Sequence, residues 1–144
     1  MDNRTYVKGM HMNNILYLGS QSSSRHKLLQ DALIPFIVLE HTSNEVVNVH
    51  GLTFHEHVLT IARSKIKTLK LPNPAVVQQN YIFVLTADTL IRLAKTGTVL
   101  GKPKDRAHAR EMLEAESREA LEIVTGCCLE KLQKVGESWV EIGR

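Results

Sequence analysis

Short apolar segments alternate with segments of helical periodicity along this chain, and this alternation restricts the fold more than any other feature. Residues 14–20, 36–39 and 82–87 have the composition of buried strands. Between them, residues 22–33 and 54–69 carry apolar side chains at helical spacing. Strands that alternate with helices indicate an α/β protein.

The second half of the chain favours antiparallel pairing instead. A turn at residues 95–97 separates two apolar segments, as in a β-hairpin. The elements predicted there are a hairpin, a helix and two strands, over residues 90–100, 106–115, 122–132 and 138–142. Parallel and antiparallel strands together predict an α/β sandwich built on a mixed sheet.

The length and the N-terminus lead to an expectation about domains. At 144 residues the chain fits one domain with a sizeable core. Residues 1–12 are polar and lack the apolar stretch of a secretory signal. We therefore expect residues 1–12 to be a flexible leader and residues 13–144 to form a single domain.

Charge and composition limit the classes of partner. The formal net charge of +3 suits a phosphorylated small molecule. Nucleic acid is not expected as a partner, because only 5% of the residues are aromatic and no long basic tract is present. We also expect no membrane insertion, since no apolar run approaches the roughly 18 residues that a bilayer crossing requires.

The only cysteines, Cys127 and Cys128, are neighbours in the sequence. Adjacent cysteines rarely reach the geometry of a disulfide with each other. We interpret them as buried thiols of a strand and not as metal ligands, because two ligands do not complete a site. Reduced thiols are typical of a cytoplasmic protein, which is the localisation that we predict.

The turn LGSQSSSRHKLL, residues 18–29, is the first candidate for chemistry. It places Ser20 and Ser22 between a predicted strand and a helix, with Arg25 in the first turn of that helix. A helix N-terminus presents unpaired N–H groups, and an arginine can bind a phosphate through two hydrogen bonds. The turn therefore fits a phosphate site; a serine N-cap beside an exposed arginine is the alternative.

The segment FVLTADTL, residues 83–90, predicts a buried strand that ends at Asp88. A buried carboxylate is costly unless it is paired, hydrogen-bonded or bound to a metal ion. At the carboxyl end of a strand, Asp88 could hold Mg²⁺ or act as a general base. An aspartate that simply begins a turn is the alternative.

Three further charged residues are candidates for the same site. Lys102 projects from the loop GKPKD, residues 101–105, where it could neutralise a polyphosphate. Glu45 lies in a polar loop, and Lys65 lies on the second predicted helix. A solvated surface charge is the alternative for each of them.

The order of these motifs resembles the Maf family of nucleoside triphosphate pyrophosphatases. The run consists of LYLGSQSSSRHKLL, an acidic loop residue, IARSK, TADT, LGKPKD and VTG, and it covers roughly residues 14–129. The resemblance implies an α/β fold shared with the inosine triphosphate pyrophosphatases, with a cleft between two lobes. It also implies hydrolysis of a nucleoside triphosphate to the monophosphate and pyrophosphate with a divalent metal ion, Mg²⁺ or Mn²⁺.

The same resemblance implies roles for individual residues. Matched by position, these are catalysis by Asp88, Lys102 and Glu45, metal binding by Asp88 and Glu45, binding of substrate phosphates by Ser20, Ser22, Arg25 and Lys65, and a contribution of Ser24 and Thr89 to substrate choice. Elementary electrostatics agrees with these roles, because hydrolysis of a polyphosphate requires its negative charge to be neutralised.

The chain departs from the family pattern at three places. Before the VTG segment, Arg118 and Leu121 replace the family's usual glycine and histidine. Ser23 and Ser24 stand where the family usually has proline and arginine, and Ser24 falls on a position tied to substrate choice, so this departure leaves the preferred base open. As substrate, the resemblance implies dTTP, UTP or a modified nucleotide. The family's C-terminal part is not matched, so we expect an incomplete second lobe and an exposed strand that favours a homodimer. The alternative function is a nucleotide-binding protein with weak or no catalysis and a regulatory role.

Overall fold

The computed structural model describes residues 15–42 and 50–144, which form six strands and three α-helices. The strands are β1 (Leu16–Gly19), β2 (Phe36–Val38), β3 (Tyr81–Leu93), β4 (Val99–Leu100), β5 (Leu121–Val135) and β6 (Ser138–Gly143). The helices are α1 (Ser23–Asp31), α2 (Phe54–Ser64) with a 3-10 helix (Lys65–Thr68) after it, and α3 (Arg106–Glu116). None of these helices has the length and hydropathy that a bilayer crossing requires. The predicted leader, residues 1–12, lies outside the described residues.

All six strands belong to one sheet. Its order is β2-β1-β3-β5-β6, and β4 pairs with β3. β1 runs parallel to β2 and β3, whereas the other pairs are antiparallel. The predicted α/β class with a mixed sheet is therefore confirmed. The chain leaves β1 through α1 to β2 on one side and returns through α2 to β3 on the other. Ligands of open α/β sheets bind at such a reversal, beyond the carboxyl ends of the strands.

β3 is longer than the sequence indicated. It runs without interruption from Tyr81 to Leu93, so the prediction that the strand ends at Asp88 is wrong. Every residue of β3 is in register with a residue of β5, and this pairing carries the strand through the polar TADT segment. Asp88 therefore lies inside a strand, opposite Gly126. The predicted hairpin is confirmed, because β4 pairs with the last part of β3.

The hydrophobic core lies on one side of the sheet, which α2 and the segment that follows it cover. The side chains of Val84 and Thr86 point toward α2, whose residues Val58 and Ala62 are fully buried. The Thr86 hydroxyl donates a hydrogen bond of 2.6 Å to the Ala62 carbonyl oxygen, which fixes the helix over the strand. α2 itself begins at a capping box in which Thr53 and the third helical residue satisfy each other's backbone N–H groups. We call this side of the sheet the α2 face.

α1 lies on the opposite side of the sheet. Its His26 ring packs against Phe36, with 5.5 Å between the ring centroids. Phe36 is in register with Leu16, which is in register with Phe83. Residues in register on neighbouring strands point to the same side of a sheet, and successive residues of one strand point to opposite sides. Phe36 and Phe83 therefore both face away from the side to which Val84 points. α1 and α2 therefore cover opposite faces of the sheet.

The part of the sheet beyond α1 exposes apolar side chains on the face opposite α2, which we call the outer face. Phe83 is 36% exposed there, Leu129 49% and Ile123 61%. Alternation along β5 also separates the cysteines, so the expectation that both are buried is wrong for Cys127, which is exposed. Cys128 is buried on the α2 face, and burial raises the pKa of its thiol.

Gly126 lets α2 approach the sheet where Asp88 is paired. A Cβ atom at Gly126 would lie 3.0 Å from the backbone of Val58 and of Leu59. Real side chains rarely tolerate such a distance to the backbone, so the close approach requires glycine at this position. The helix that brings Lys65 to the sheet thus depends on a residue without a side chain.

We predict that Gly126→Ala lowers the free energy of unfolding by about 1–3 kcal/mol, because α2 must move away from β5 to accommodate the methyl group. Urea unfolding followed by circular dichroism measures this change. Gly143→Ala is the matched control, since a Cβ atom there meets nothing within 4 Å and Gly143 also lies in a strand. Equal stability of the two variants would contradict the proposed close packing.

Candidate functional site

β3 lacks a strand partner over a short stretch of one edge. β5 occupies one edge of β3 along its whole length, so β1 and β4 share the other edge. Pairing with β1 ends at Thr86, opposite Gly19, and pairing with β4 begins at Ile91, opposite Leu100. Within the described part of the chain, residues 87–90 have no strand partner on this edge. We call this opening in the sheet the gap.

Arg25 reaches across the gap from the first turn of α1. Its Nη1 donates to Ser20 Oγ at 2.9 Å and to the Ala87 carbonyl oxygen at 3.1 Å. Its Nη2 donates to Thr89 Oγ1 at 3.0 Å. The three hydrogen bonds connect the end of β1 with the middle of β3, so the guanidinium is held at the gap.

Lys65 reaches the same carbonyl group from the α2 face. Its Nζ donates to the Ala87 carbonyl oxygen at 2.9 Å and to Asp88 Oδ1 at 2.6 Å. The side chains of Lys65 and Asp88 are only 29% and 19% exposed, so the ion pair is less screened by water than a surface pair. This pair explains how β3 accommodates a carboxylate inside the strand.

Residues 20–22, which connect β1 with α1 and which we call the serine turn, are held in place by several hydrogen bonds. Ser20 is buried, and its Oγ accepts hydrogen bonds from Arg25 and from the Ser22 N–H group, the latter at 3.3 Å. Ser22 is the N-cap of α1, where its Oγ accepts from the Arg25 N–H group. His26 Nε2 donates to the Ser20 carbonyl oxygen at 2.8 Å, because a carbonyl oxygen can only accept. The turn and the arginine are therefore held as one unit.

The residues linked by these hydrogen bonds form one group, which we call the cluster, and Thr89 extends it toward β5. It receives the hydrogen bond from Arg25, and its Oγ1 lies 2.8 Å from Thr125 Oγ1 on the neighbouring strand. The two threonines are directly in register and both are exposed on the outer face. The cluster consequently runs from the α2 face, through the gap, to the outer face.

The structure brings together six of the residues that the sequence suggested and leaves two of the described ones apart. The connected residues are Ser20, Ser22, Arg25, Lys65, Asp88 and Thr89. Ser24 is exposed on α1, and Lys102 is exposed in the loop after β4, with no hydrogen bond to the cluster within the described residues. β4 ends at Leu100, opposite Ile91, so the loop that carries Lys102 begins at one end of the gap. Glu45 lies outside the described residues.

Three components of the cluster were not identified from the sequence. The Ala87 carbonyl group is a backbone acceptor, which residue types alone do not reveal. Thr125 belongs to the VTG segment, but its contact with Thr89 follows only from the register of β3 with β5. His26 directly follows Arg25 in the sequence, and only the fold of this segment places its ring against the Ser20 carbonyl.

The charges of the cluster favour an anionic ligand. Two cations, Arg25 and Lys65, face one carboxylate, Asp88, among the described members of the cluster. The positive end of α1 lies beside them, because Ser22 caps the helix at the gap. Cations and helix N–H groups bind phosphate oxygens, and the carboxylate can orient water or hold a metal ion.

Comparison with known proteins finds a matching family model and several relatives of this chain. The family model described as Maf-like protein matches residues 15–142. A dTTP/UTP pyrophosphatase of Acholeplasma laidlawii is 37% identical over 116 residues, which are 80% of this chain and 56% of the relative. The dTTP/UTP pyrophosphatase of Bdellovibrio bacteriovorus is 35% identical over 118 residues, which are 82% of this chain and 59% of the relative.

A third relative, the dTTP/UTP pyrophosphatase of Fusobacterium nucleatum, is 30% identical over 119 residues. The match covers 83% of this chain and 57% of that protein. The chain thus spans little more than half the length of the curated relatives that it matches.

We predict that Ser20→Ala lowers the free energy of unfolding by about 1–2 kcal/mol, because it removes a buried acceptor shared by Arg25 and the Ser22 N–H group. Guanidinium unfolding measures the change. Ser24→Ala is the matched control, since Ser24 is an exposed serine in the first turn of the helix that follows Ser20, and alanine favours helix. Unchanged stability of the Ser20→Ala variant would show that the hydrogen bonds of Ser20 do not hold the turn.

Proposed function

Because the chain belongs to the Maf-like protein family, we propose that it is a nucleoside triphosphate pyrophosphatase. It would hydrolyse a nucleoside or deoxynucleoside triphosphate to the monophosphate and pyrophosphate. The single observation that carries the proposal is the convergence of Arg25 and Lys65 on the Ala87 carbonyl group beside Asp88. The printed names of the relatives favour dTTP and UTP as substrates.

The triphosphate binds at the gap in this proposal. A guanidinium carries five N–H donors, and Arg25 gives three hydrogen bonds to protein acceptors, so donors remain for phosphate oxygens. The N–H groups of the first turn of α1 and the serine turn lie on the same side. Lys65 adds a second cation from the α2 face, so the phosphates are held between two positive groups.

Asp88 orients and deprotonates the attacking water in this proposal. Its Oδ1 is bound by Lys65, which leaves the other carboxylate oxygen to accept a hydrogen bond from water. A triphosphate competes with Asp88 for the Lys65 ammonium group, since it carries more negative charge. Substrate binding would then release the carboxylate for its role as a general base.

Lys102 acts on the leaving pyrophosphate in this proposal. It lies two residues beyond β4, whose end opposite Ile91 borders the gap. A lysine ammonium group is a mobile point charge, which suits a polyphosphate whose charge moves during bond cleavage. Ser24 and Thr89 are the proposed contributors to substrate choice. Ser24 is exposed in the first turn of α1, and Thr89 is exposed beside the gap.

We propose a divalent metal ion, Mg²⁺ or Mn²⁺, as cofactor. The described residues contain no group of three or more histidine, cysteine or acidic side chains that could hold a metal ion. A single carboxylate nevertheless fits Mg²⁺, which protein sites commonly bind through one or two carboxylates together with substrate phosphates. Asp88 would hold the ion, with Glu45 as the predicted second carboxylate. A bound ion would supply charge neutralisation on the phosphate oxygens.

We predict that the purified protein releases pyrophosphate from UTP or dTTP in the presence of Mg²⁺, and that Asp88→Asn lowers turnover by about 100-fold or more. The amide cannot take up the proton of the attacking water. The products are identified by ³¹P NMR, and thermal unfolding checks that the variant folds.

Asp31→Asn is the matched control for this experiment. Asp31 is an exposed aspartate whose partner is Lys27 on the same helix, so its replacement leaves turnover unchanged. Full turnover by the Asp88→Asn variant would remove Asp88 from the reaction. Release of inorganic phosphate would show a different reaction, and nucleotide binding without turnover would favour the non-catalytic alternative.

We also propose that the protein forms a homodimer through the outer face. Exposed Phe83, Ile123 and Leu129 support this, as does β6, which is the edge of the described sheet. The two free cysteines fit a reducing cytoplasm, which we propose as the compartment.

We predict that Leu129→Lys turns this dimer into a monomer, because a charge on the outer face must be desolvated when two copies meet. Sedimentation velocity measures the mass in solution. Val76→Lys is the matched control: Val76 is 75% exposed but lies in the loop before β3, so the dimer persists. A wild-type protein that sediments as a monomer at all concentrations tested would refute the dimer.

A further inference from the structure

Thr125 contacts the cluster from β5, and none of the roles above uses it. It lies directly opposite Thr89 in the β3–β5 register, with 2.8 Å between the two hydroxyl oxygens. The backbone of Thr125 is held by pairing that extends along the whole of β3. Thr125 therefore offers a hydroxyl group at a fixed position beside the gap.

The hydrogen bonds connect Thr125 to the arginine. A guanidinium can only donate, so Thr89 Oγ1 accepts the hydrogen bond from Arg25 Nη2. The same Thr89 hydroxyl makes its second contact with Thr125. The order of contacts is Arg25, Thr89, Thr125, which links α1, β3 and β5 through side chains.

We propose that Thr125 is a positioning residue, which directs the Arg25 guanidinium toward a triphosphate by fixing the rotamer of Thr89. This inference rests on the proposed function only in taking a triphosphate as the ligand. Ser20 and Ala87 hold Nη1 alone, so the guanidinium plane can still turn about that nitrogen. The contact of Nη2 with Thr89 fixes the plane, and bidentate binding of a phosphate requires a fixed plane.

Thr89 needs this support because of where it lies. Its side chain is exposed on the outer face within the described part of the chain, so packing restricts its rotamer less than in the core. In the observed rotamer its Oγ1 contacts both Thr125 and Arg25. Without the Thr125 hydroxyl group, rotation of Thr89 breaks the contact with Arg25 and lets the guanidinium turn.

The test compares Thr125→Val, which keeps the shape and removes the hydroxyl group, with Thr125→Ser, which keeps the hydroxyl group. We expect Thr125→Val to bind inorganic triphosphate about fivefold more weakly in calorimetry, and Thr125→Ser to bind like the wild type. In a protein that already carries Arg25→Gln, we expect Thr125→Val to cause no further loss of affinity for inorganic triphosphate. With a nucleotide substrate, KM rises by a similar factor and kcat changes less.

Two results would overturn the proposal: wild-type affinity of the Thr125→Val variant, or the same loss of affinity with and without Arg25. Circular dichroism checks folding. If Thr125→Val does not fold, Thr89→Val replaces it, and it must weaken triphosphate binding by the same factor. Triphosphate binding that follows this pattern without pyrophosphate release would support the role of Thr125 and contradict the proposed function. A wild-type protein that binds no triphosphate would contradict both.

Discussion

The carbonyl group of Ala87 is the acceptor on which the arrangement of this cluster depends. It lies in the gap, where neither β1 nor β4 pairs with β3, so side chains take the place of a neighbouring strand. Arg25 reaches it from the helix on one face and Lys65 from the helix on the other. Two cations are thereby held close together at a position that the topology of the sheet creates.

Holding two cations together has an electrostatic cost, and the cluster offsets it with few groups. The Ala87 carbonyl oxygen and the Asp88 carboxylate both accept hydrogen bonds from Lys65. The hydroxyl groups of Ser20 and Thr89 accept hydrogen bonds from Arg25. A polyphosphate bound in the gap would meet donors that are already oriented. Preorganised donors contribute more to binding and catalysis than donors that must first leave water.

The sequence predicted the features that are local and missed those that depend on long-range pairing. Helix periodicity, the serine cap and the α/β alternation depend on neighbouring residues, and the structure has them nearly where they were expected. The TADT segment looks like a strand end because its residues are small and polar, yet pairing with β5 continues the strand through Asp88. The contact of Thr125 with Thr89 likewise depends on the register of β3 with β5, because the two residues are 36 positions apart in the sequence. Lys65 was predicted through the family resemblance, but its contact with the Ala87 carbonyl group is visible only in the fold.

The most direct test of the central claim is a crystal structure of the protein with a non-hydrolysable α,β-imido analogue of UTP or dTTP. The claim predicts phosphate oxygens within hydrogen-bond distance of Arg25 and Lys65, in the gap between the ends of β1 and β4. It also predicts that the α-phosphorus lies on the side of Asp88. Phosphates bound elsewhere, with Arg25 and Lys65 still joined only by the Ala87 carbonyl group, would contradict the account.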